Sequence, residues 1–264
     1  MIPLPICSQL PLAIELPPLL AALARVPGTA WQHHFNTGYY DGDWSGVALV
    51  AAEDAPLPLA PGQGAPRRTD WWQGEAAWED LLGLFGESVR SARLLRLGAG
   101  ARIHEHRDYD LGQPGADLRL HVPLLSPPEV EFLVEGLRVP MQPGQCWFID
   151  LSRPHRVDNH GTSERVHLVL DCRPDDWLLK LVAQGLPGTP ALLPGRAIAA
   201  FERFRQLVAS DAGLARQLQA LSEPEAFIRA TVELGAAAGL VFSESEVKGA
   251  MRRGKQAWSD QWRV

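Results

Sequence analysis

The sequence predicts an α+β protein. Its core is a sandwich or barrel of short strands, for which we favour a double-stranded β-helix (jelly roll, cupin-like), with flanking helices and a small C-terminal helical bundle. Between residues 92 and 172, short apolar runs with alternation are separated by turns rich in Gly and Pro. After residue 196 the composition changes to Ala, Leu, Glu and Arg with helical spacing. A chain of 264 residues, 46% of them hydrophobic, can bury a sizeable core.

Ahead of the core, the chain predicts short helices and loops. Residues 16–25 form a helix with two prolines in its first turn, where a missing N–H costs nothing. An aromatic segment then leads into a strand at 47–51, and the Pro-, Gly- and Ala-rich stretch 53–68 is a loop. Apolar residues at helical spacing predict a helix over 78–89.

The core strands follow closely in the sequence. Glu135-Gly136 predicts a tight turn that joins strands 130–134 and 137–139 into a hairpin. The predicted strand segments, in chain order, are RLLRLGAG (93–100), DLRLHVPLL (117–125), EVEFLVEGLRVPM (129–141), QCWFIDL (145–151) and RVHLVLDC (165–172).

A linker at 186–195 separates a predicted core domain, 1–185, from a predicted helical domain, 196–264. The latter is expected to hold three helices. The first runs over about 197–221. The second is capped by Ser222 and runs to about residue 238, and the third begins at Ser243 in a Ser-x-x-Glu capping box.

Charge and cysteine content exclude several classes of protein. The net charge of −6 disfavours nucleic acid as the main partner, because phosphate binding requires clustered cations. No apolar run approaches the ~20 residues of a membrane span, so no membrane partner is expected. The N-terminus lacks a basic region and is interrupted by prolines, and the three cysteines form no CxxC. We therefore expect a cytoplasmic protein with reduced thiols.

Six of the eight histidines lie between residues 103 and 171. His106 and Asp108 are two residues apart, so they project from the same face if the segment is extended. His155 can join them from a strand folded back beside the first. Two imidazoles and one carboxylate are the ligands of facial-triad Fe(II) sites. His104 is an alternative ligand, and a lone His-x-Asp pair is by itself a weak indication.

Arg165 lies inside a strand-like run ten residues beyond His155. A buried arginine is costly without an acidic partner. A dicarboxylic cosubstrate such as 2-oxoglutarate would supply that partner through a bidentate contact.

Four separate blocks carry a resemblance to a known family, and they lie within residues 31–177. The blocks HRDYDL (106–111), RLHVPL (119–124), PGQCWFIDLSRPHRVDN (143–159) and RVHLVLD (165–171) resemble the aspartyl/asparaginyl β-hydroxylase family. The resemblance implies an Fe(II)- and 2-oxoglutarate-dependent dioxygenase that uses O2. It would hydroxylate an amino-acid residue in a peptide or protein, or a free amino acid.

Matching positions imply a role for several residues. The iron ligands would be His106, Asp108 and His155. Arg165 would bind the distal carboxylate of 2-oxoglutarate, and the carboxylates of cosubstrate or substrate would contact Arg119 and His121. Further candidates for the pocket, each of which ordinary packing also explains, are Trp147, His167, Asn159, Trp44 and Tyr40. Asn159 is also expected to fix the loop after His155 through bonds to the backbone.

The C-terminal segment 201–247 resembles the nitrogen-fixation-associated leader-peptide family, whose members are recognised by enzymes that modify ribosomal peptides. Here it follows an oxygenase-like core. Our hypothesis is that it docks a peptide substrate or a partner enzyme, the alternative being a helical brace. For the whole chain two alternatives stay open. One is a non-catalytic jelly-roll binding module, and the other is a cupin-type metalloenzyme that does not use 2-oxoglutarate.

Overall fold

The structure is a computed structural model that describes residues 4–60, 62–72 and 74–260. The chain divides into two compact units with the boundary between Leu193 and Pro194, inside the segment predicted as a linker. Within the described ranges, no helix is long and apolar enough to cross a membrane.

Strands dominate the first unit, and helices make up the second. The strands are β1 (Cys7–Leu10), β2 (Gln32–His33), β3 (Tyr40–Asp41), β4 (Trp44–Ala52), β5 (Pro66–Arg68), β6 (Val89–Leu97), β7 (Arg102–His106), β8 (Leu118–Leu125), β9 (Val130–Val134), β10 (Leu137–Arg138), β11 (Cys146–Ile149), β12 (His155–Asn159), β13 (Arg165–Cys172) and β14 (Leu193–Pro194). The helices are α1 (Leu16–Arg25), α2 (Ala76–Gly83), α3 (Asp176–Gln184), α4 (Arg196–Ser210), α5 (Ala212–Gln219), α6 (Pro224–Ala237) and α7 (Glu244–Asp260).

Two sheets organise the first unit. The large sheet has the order β1-β11-β8-β13-β6-β4-β2, with β5 also paired to β4. The small sheet has the order β10-β9-β12-β7-β3, with β14 next to β10. From β6 to β13 the chain passes repeatedly from one sheet to the other, and these strands pair antiparallel. The α+β class with antiparallel sheets is thus confirmed.

Apolar packing explains why the two sheets face each other. Trp44, Leu97 and Trp147 of the large sheet share one buried cluster with Ile103 and Phe132 of the small sheet. The other face of the large sheet packs against α1, α2 and α3 in a second cluster. Burial of this area is the main stabilising contribution. The functional side chains described below lie in the space between the sheets.

The helices, strands and turns predicted for the first unit are mostly confirmed, with two corrections. The helix predicted over 78–89 is wrong at its end: α2 stops at Gly83, and Gly86 takes a positive φ of 55° in a 3-10 turn just before β6. The predicted loop 53–68 contains the short strand β5 at its end. The hairpin is confirmed, because Glu135 and Gly136 have φ of 52° and 80°, as a tight primed turn requires.

The second unit has four helices in its described residues instead of the three predicted. The first predicted helix is interrupted at Asp211, whose carboxylate accepts from the N–H groups of Gly213 (2.8 Å) and Leu214 (3.0 Å) and so begins α5. The N-cap of α6 is Glu223, not Ser222. The capping box before α7 is confirmed, since the Ser243 N–H donates to Glu246 Oε2 at 2.9 Å. The helices pack around a hydrophobic core formed by Phe204, Leu218, Ile228, Phe242 and Val247.

Candidate active site

The predicted metal ligands converge on one point. His106 ends β7 and His155 begins β12, and these residues lie opposite each other in the antiparallel pair. Asp108 follows β7 outside the strand, where its N–H donates to the carbonyl of Leu151 at 2.9 Å. One donor atom from each of His106, Asp108 and His155 lies within 4.8 Å of the others. A single cation can therefore contact all three.

Hydrogen bonds set both imidazoles in the tautomer that binds metal. Nδ1 of His106 donates to the carbonyl of His104 at 2.8 Å, and Nδ1 of His155 donates to the carbonyl of Arg153 at 2.9 Å. A carbonyl only accepts, so the proton is on Nδ1 and the lone pair of Nε2 is free. Burial also lowers the pKa of His155 to about 4, which keeps this ring neutral near pH 7.

A buried charge network supports Asp108. Arg119 Nη1 donates to Asp108 Oδ2 at 2.5 Å, and Arg119 Nε donates to Asp171 Oδ1 at 2.6 Å. Arg93 forms an ion pair with the same Asp171 carboxylate, and Ser91 Oγ donates to it at 3.1 Å. Burial alone would raise the pKa of Asp171, but the two guanidinium groups outweigh it and hold the pKa well below its usual range. Asp171 is therefore ionised near neutral pH.

These groups line a cavity of about 440 Å³, within the size range of small-ligand sites. Arg165 also lines it, with only 2% of the residue exposed. Its Nη2 donates to His167 Nδ1 at 2.7 Å, whereas its Nε has no hydrogen-bond partner in the described part of the chain. Burial lowers the pKa of Arg165 to about 9. Both ring nitrogens of buried His121 also lack partners there.

Comparisons with known proteins identify the family of the chain. The family model "Aspartyl/Asparaginyl beta-hydroxylase" matches residues 20–174, more than half of the chain. The protein belongs to the aspartyl/asparaginyl β-hydroxylase family. The family places it among the oxidoreductases that are 2-oxoglutarate-dependent oxygenases. The Nif11 domain model matches residues 197–247, so the resemblance of the second unit is confirmed as well.

Solved structures with partial similarity include a prolyl-4-hydroxylase from Pseudomonas putida. It is 16% identical, with a TM-score of 0.39 over 64% of this chain and 92% of its own. The α-ketoglutarate-dependent epimerase SnoN from nogalamycin biosynthesis is 16% identical, with a TM-score of 0.40 over 72% of this chain and 91% of its own. A 2OG-Fe(II) oxygenase family oxidoreductase from Burkholderia pseudomallei is 16% identical, with a TM-score of 0.38 over 59% and 76%.

The remaining pocket candidates of this β-hydroxylase family member occupy different environments. Trp44 lines the cavity, with its ring stacked on His34 at a centroid distance of 3.5 Å. Tyr40 packs edge-on against Trp44 at 5.5 Å but is not part of the lining. Trp147 is fully buried in the core between the sheets, and its Nε1 donates to Gln145 Oε1 at 2.8 Å.

Two further candidates are not part of the cavity lining. His167 accepts a hydrogen bond from Arg165 and lines a separate small cavity. The Asn159 amide donates to the carbonyls of Gly98 (2.8 Å) and Ser163 (2.9 Å), so it fixes the loop after β12. His104 does not belong to the metal-ligand group. Its Nε2 lies 2.8 Å from Asp41 Oδ2 instead.

Sequence reasoning missed Arg93, Asp171 and Asp110. Arg93, His34 and Asp110 line the cavity, and Asp171 is 3% exposed behind it. A usable indication was present, because charged residues in otherwise apolar strands are rare without a partner. Which partner each one meets depends on strand register, which a single sequence does not specify.

Proposed function

We propose that the protein is an Fe(II)- and 2-oxoglutarate-dependent dioxygenase that hydroxylates an amino-acid residue in a peptide or protein, or a free amino acid. We further propose that the two sheets form the double-stranded β-helix of such enzymes, and that the reaction is the Asp/Asn-type β-hydroxylation of the family name. One observation carries the proposal: two Nε2 lone pairs and a carboxylate converge in the same cavity as a buried arginine that has no carboxylate partner among the described residues.

His106, Asp108 and His155 would hold the metal. Two neutral imidazoles and one carboxylate suit Fe(II) and leave further positions for other ligands. The bound metal, with 2-oxoglutarate and O2, supplies the oxidation of an unactivated C–H bond. The protein side chains contribute by fixing the ligand tautomers and by lining the cavity with apolar groups such as Ile103 and Val157.

Arg165 and His121 would bind the cosubstrate. In the residues that the structure describes, Arg165 has no carboxylate partner, so its desolvation is uncompensated until an anion enters. His121 can donate one proton to the same anion, while burial keeps its pKa well below the usual value. This uncompensated charge favours a dicarboxylate-using oxygenase over a binding module or a cupin enzyme without 2-oxoglutarate. Arg119 uses three of its five N–H donors on Asp108 and Asp171, so two donors remain for a contact with cosubstrate.

The second unit is proposed to dock a peptide substrate or a partner enzyme, as its Nif11 match suggests. A version ending at Leu193 tests this by comparing the KM for the peptide with that of the full chain. An unchanged KM in a folded, soluble core would exclude docking. We also propose a cytoplasmic location, consistent with free thiols at Cys7, Cys146 and Cys172.

Turnover tests the activity itself. Fe(II)-loaded protein is incubated with 2-oxoglutarate, O2 and Asn- or Asp-containing peptides, and succinate and a +16 Da product are quantified. We expect succinate formation that peptide stimulates and that His106→Ala abolishes, while His160→Ala, a change at an exposed histidine, retains it. If no candidate stimulates succinate formation above the rate without protein, the proposed activity is wrong.

A further inference from the structure

Asp171, Arg119 and Arg93 form an unusual arrangement between the large sheet and the metal-ligand group. All three lie on central strands: Asp171 on β13, Arg119 on β8 and Arg93 on β6. Asp171 lies directly opposite Arg119 in one strand pair and opposite Ser91 in the other. Strand register therefore brings these side chains together on one face of a rigid sheet.

Asp108 has no such support of its own. It follows the end of β7, with φ of −90° and ψ of 86°, and its side chain is partly exposed. Its Oδ1 lies 3.7 Å from His106 Nε2, whereas its Oδ2 accepts the bond from Arg119. One oxygen is thus turned toward the metal-ligand group and the other is held by the guanidinium. Arg119 reaches from the sheet to this irregular segment.

The charges of the cluster balance. Arg93 and Arg119 supply two positive charges, and Asp171 and Asp108 supply two negative ones. All three of Asp171, Arg93 and Arg119 are buried or nearly so, and charges in such a site are screened weakly. Loss of the Asp171 charge would make the cluster more positive next to the place of a divalent cation. It would also leave Arg119 anchored only by Asp108.

We propose that Asp171 is a positioning residue: acting through Arg119, it holds Asp108 with a single oxygen toward His106. This inference rests on the proposed function, because it assumes that Asp108 is a metal ligand. It assigns to Asp171, which is not among the proposed metal ligands or cosubstrate contacts, the role of an anchor for Arg119.

Fe(II) affinity of the full chain, measured anaerobically by calorimetry, tests the proposal. Asp171→Asn should raise the Kd for Fe(II) about 10- to 100-fold, the usual effect of losing a group that supports a metal ligand. In an Arg119→Gln background, the same Asp171→Asn change should alter Kd by less than about threefold, because its connection to Asp108 is already lost.

Asp117→Asn provides the matched control. It removes a carboxylate that is 10% exposed and paired with Arg90 at 2.7 Å, away from the ligands, so it should lower stability but leave the Kd for Fe(II) within about twofold. Arg119→Lys is the second variant, for the case that Asp171→Asn fails to fold. It keeps the charge but cannot bridge two carboxylates with a fork, and should raise the Kd at least about tenfold.

Each outcome is decisive. The proposal is supported if Asp171→Asn or Arg119→Lys binds Fe(II) more weakly than the wild type. It also requires that Asp171→Asn weakens Fe(II) binding in the chain that keeps Arg119 but not in the Arg119→Gln chain. The proposal is overturned if Asp171→Asn changes the Kd for Fe(II) equally with and without Arg119, or if the control Asp117→Asn changes it as much. It is also overturned if Asp171→Asn and Arg119→Lys leave the Kd unchanged. None of these results affects the proposed function. A wild-type chain that binds no Fe(II) overturns both.

Discussion

Replacement of Arg165 by methionine should stabilise the ligand-free protein and at the same time abolish its response to 2-oxoglutarate. Arg165 is 2% exposed, and within residues 4–60, 62–72 and 74–260 its only hydrogen-bond partner is the neutral ring of His167. The side chain also lies over Phe132, with 5.9 Å between its Cζ and the ring centroid. Methionine is of similar length and can keep the packing without the charge.

The magnitude follows from the depressed pKa. Burial lowers the pKa of Arg165 to about 9. Each unit of pKa is worth about 1.4 kcal/mol, so the difference between this pKa and the ordinary arginine pKa corresponds to roughly 5 kcal/mol of uncompensated desolvation. The variant leaves His167 Nδ1 without its donor, at a cost of about 1–3 kcal/mol. The net gain is therefore about 2–4 kcal/mol, and the unfolding midpoint should rise by about 5–10 °C.

Calorimetric unfolding with and without Mn(II) and 2-oxoglutarate measures both effects. The wild type should be stabilised further by the two ligands together, as mass action requires, and Arg165→Met should not be. Arg90→Met is the control, because Arg90 is largely buried, with 12% of its side chain exposed, but paired with Asp117, so the same substitution there should lower the midpoint. A midpoint for Arg165→Met that falls as far as that of Arg90→Met, or a retained response to 2-oxoglutarate, would refute the reasoning.

Three further predictions concern stability. First, burial lowers the pKa of His34 to about 4, so the unfolded state binds more protons between pH ~6.5 and 4 and the free energy of unfolding should fall as pH falls through that window. His34→Gln should flatten this slope in urea titrations at several pH values, and an unchanged slope would count against it. Second, a Cβ at Gly235 would lie 2.4 Å from Phe242 ring atoms, whereas one at Gly254 meets no atom within 4 Å. By circular dichroism, Gly235→Ala should therefore lower the helical thermal midpoint. Gly254→Ala should raise the midpoint slightly, through a gain of about 1 kcal/mol or less in the free energy of unfolding. Equal effects would contradict the packing. Third, Asn159→Ala removes donors to three backbone carbonyls and should cost about 1–3 kcal/mol, measured by urea unfolding. A cost below 0.5 kcal/mol, typical of a surface change, would be inconsistent with its burial.

Local patterns made part of the fold and site predictable from sequence. Alternation and turn residues specify the hairpin at Glu135-Gly136, and two prolines and apolar spacing specify α1. His106 and His155 were predicted as neighbours, and they lie opposite each other in a strand pair. The proposed extended spacing of His106 and Asp108 was only half right, because β7 ends at His106.

Other features depend on long-range pairing or on close competition between local structures. The Arg93–Asp171–Arg119 network exists because β6, β13 and β8 align in one register, which no segment specifies alone. Asp211 is compatible with a continuous helix by spacing, yet its carboxylate competes for backbone N–H groups and begins a new helix instead. The helix α2 ends earlier than the apolar spacing predicts, because Gly86 adopts a left-handed conformation.

The most direct test of the central claim is an anaerobic titration of the full chain with Fe(II) and then 2-oxoglutarate, followed by visible absorption. We expect a weak charge-transfer band that saturates at one equivalent and that Asp108→Ala and Arg165→Met both lose while remaining folded. The absence of a band in the wild type, or a band that survives both substitutions, would contradict the central claim.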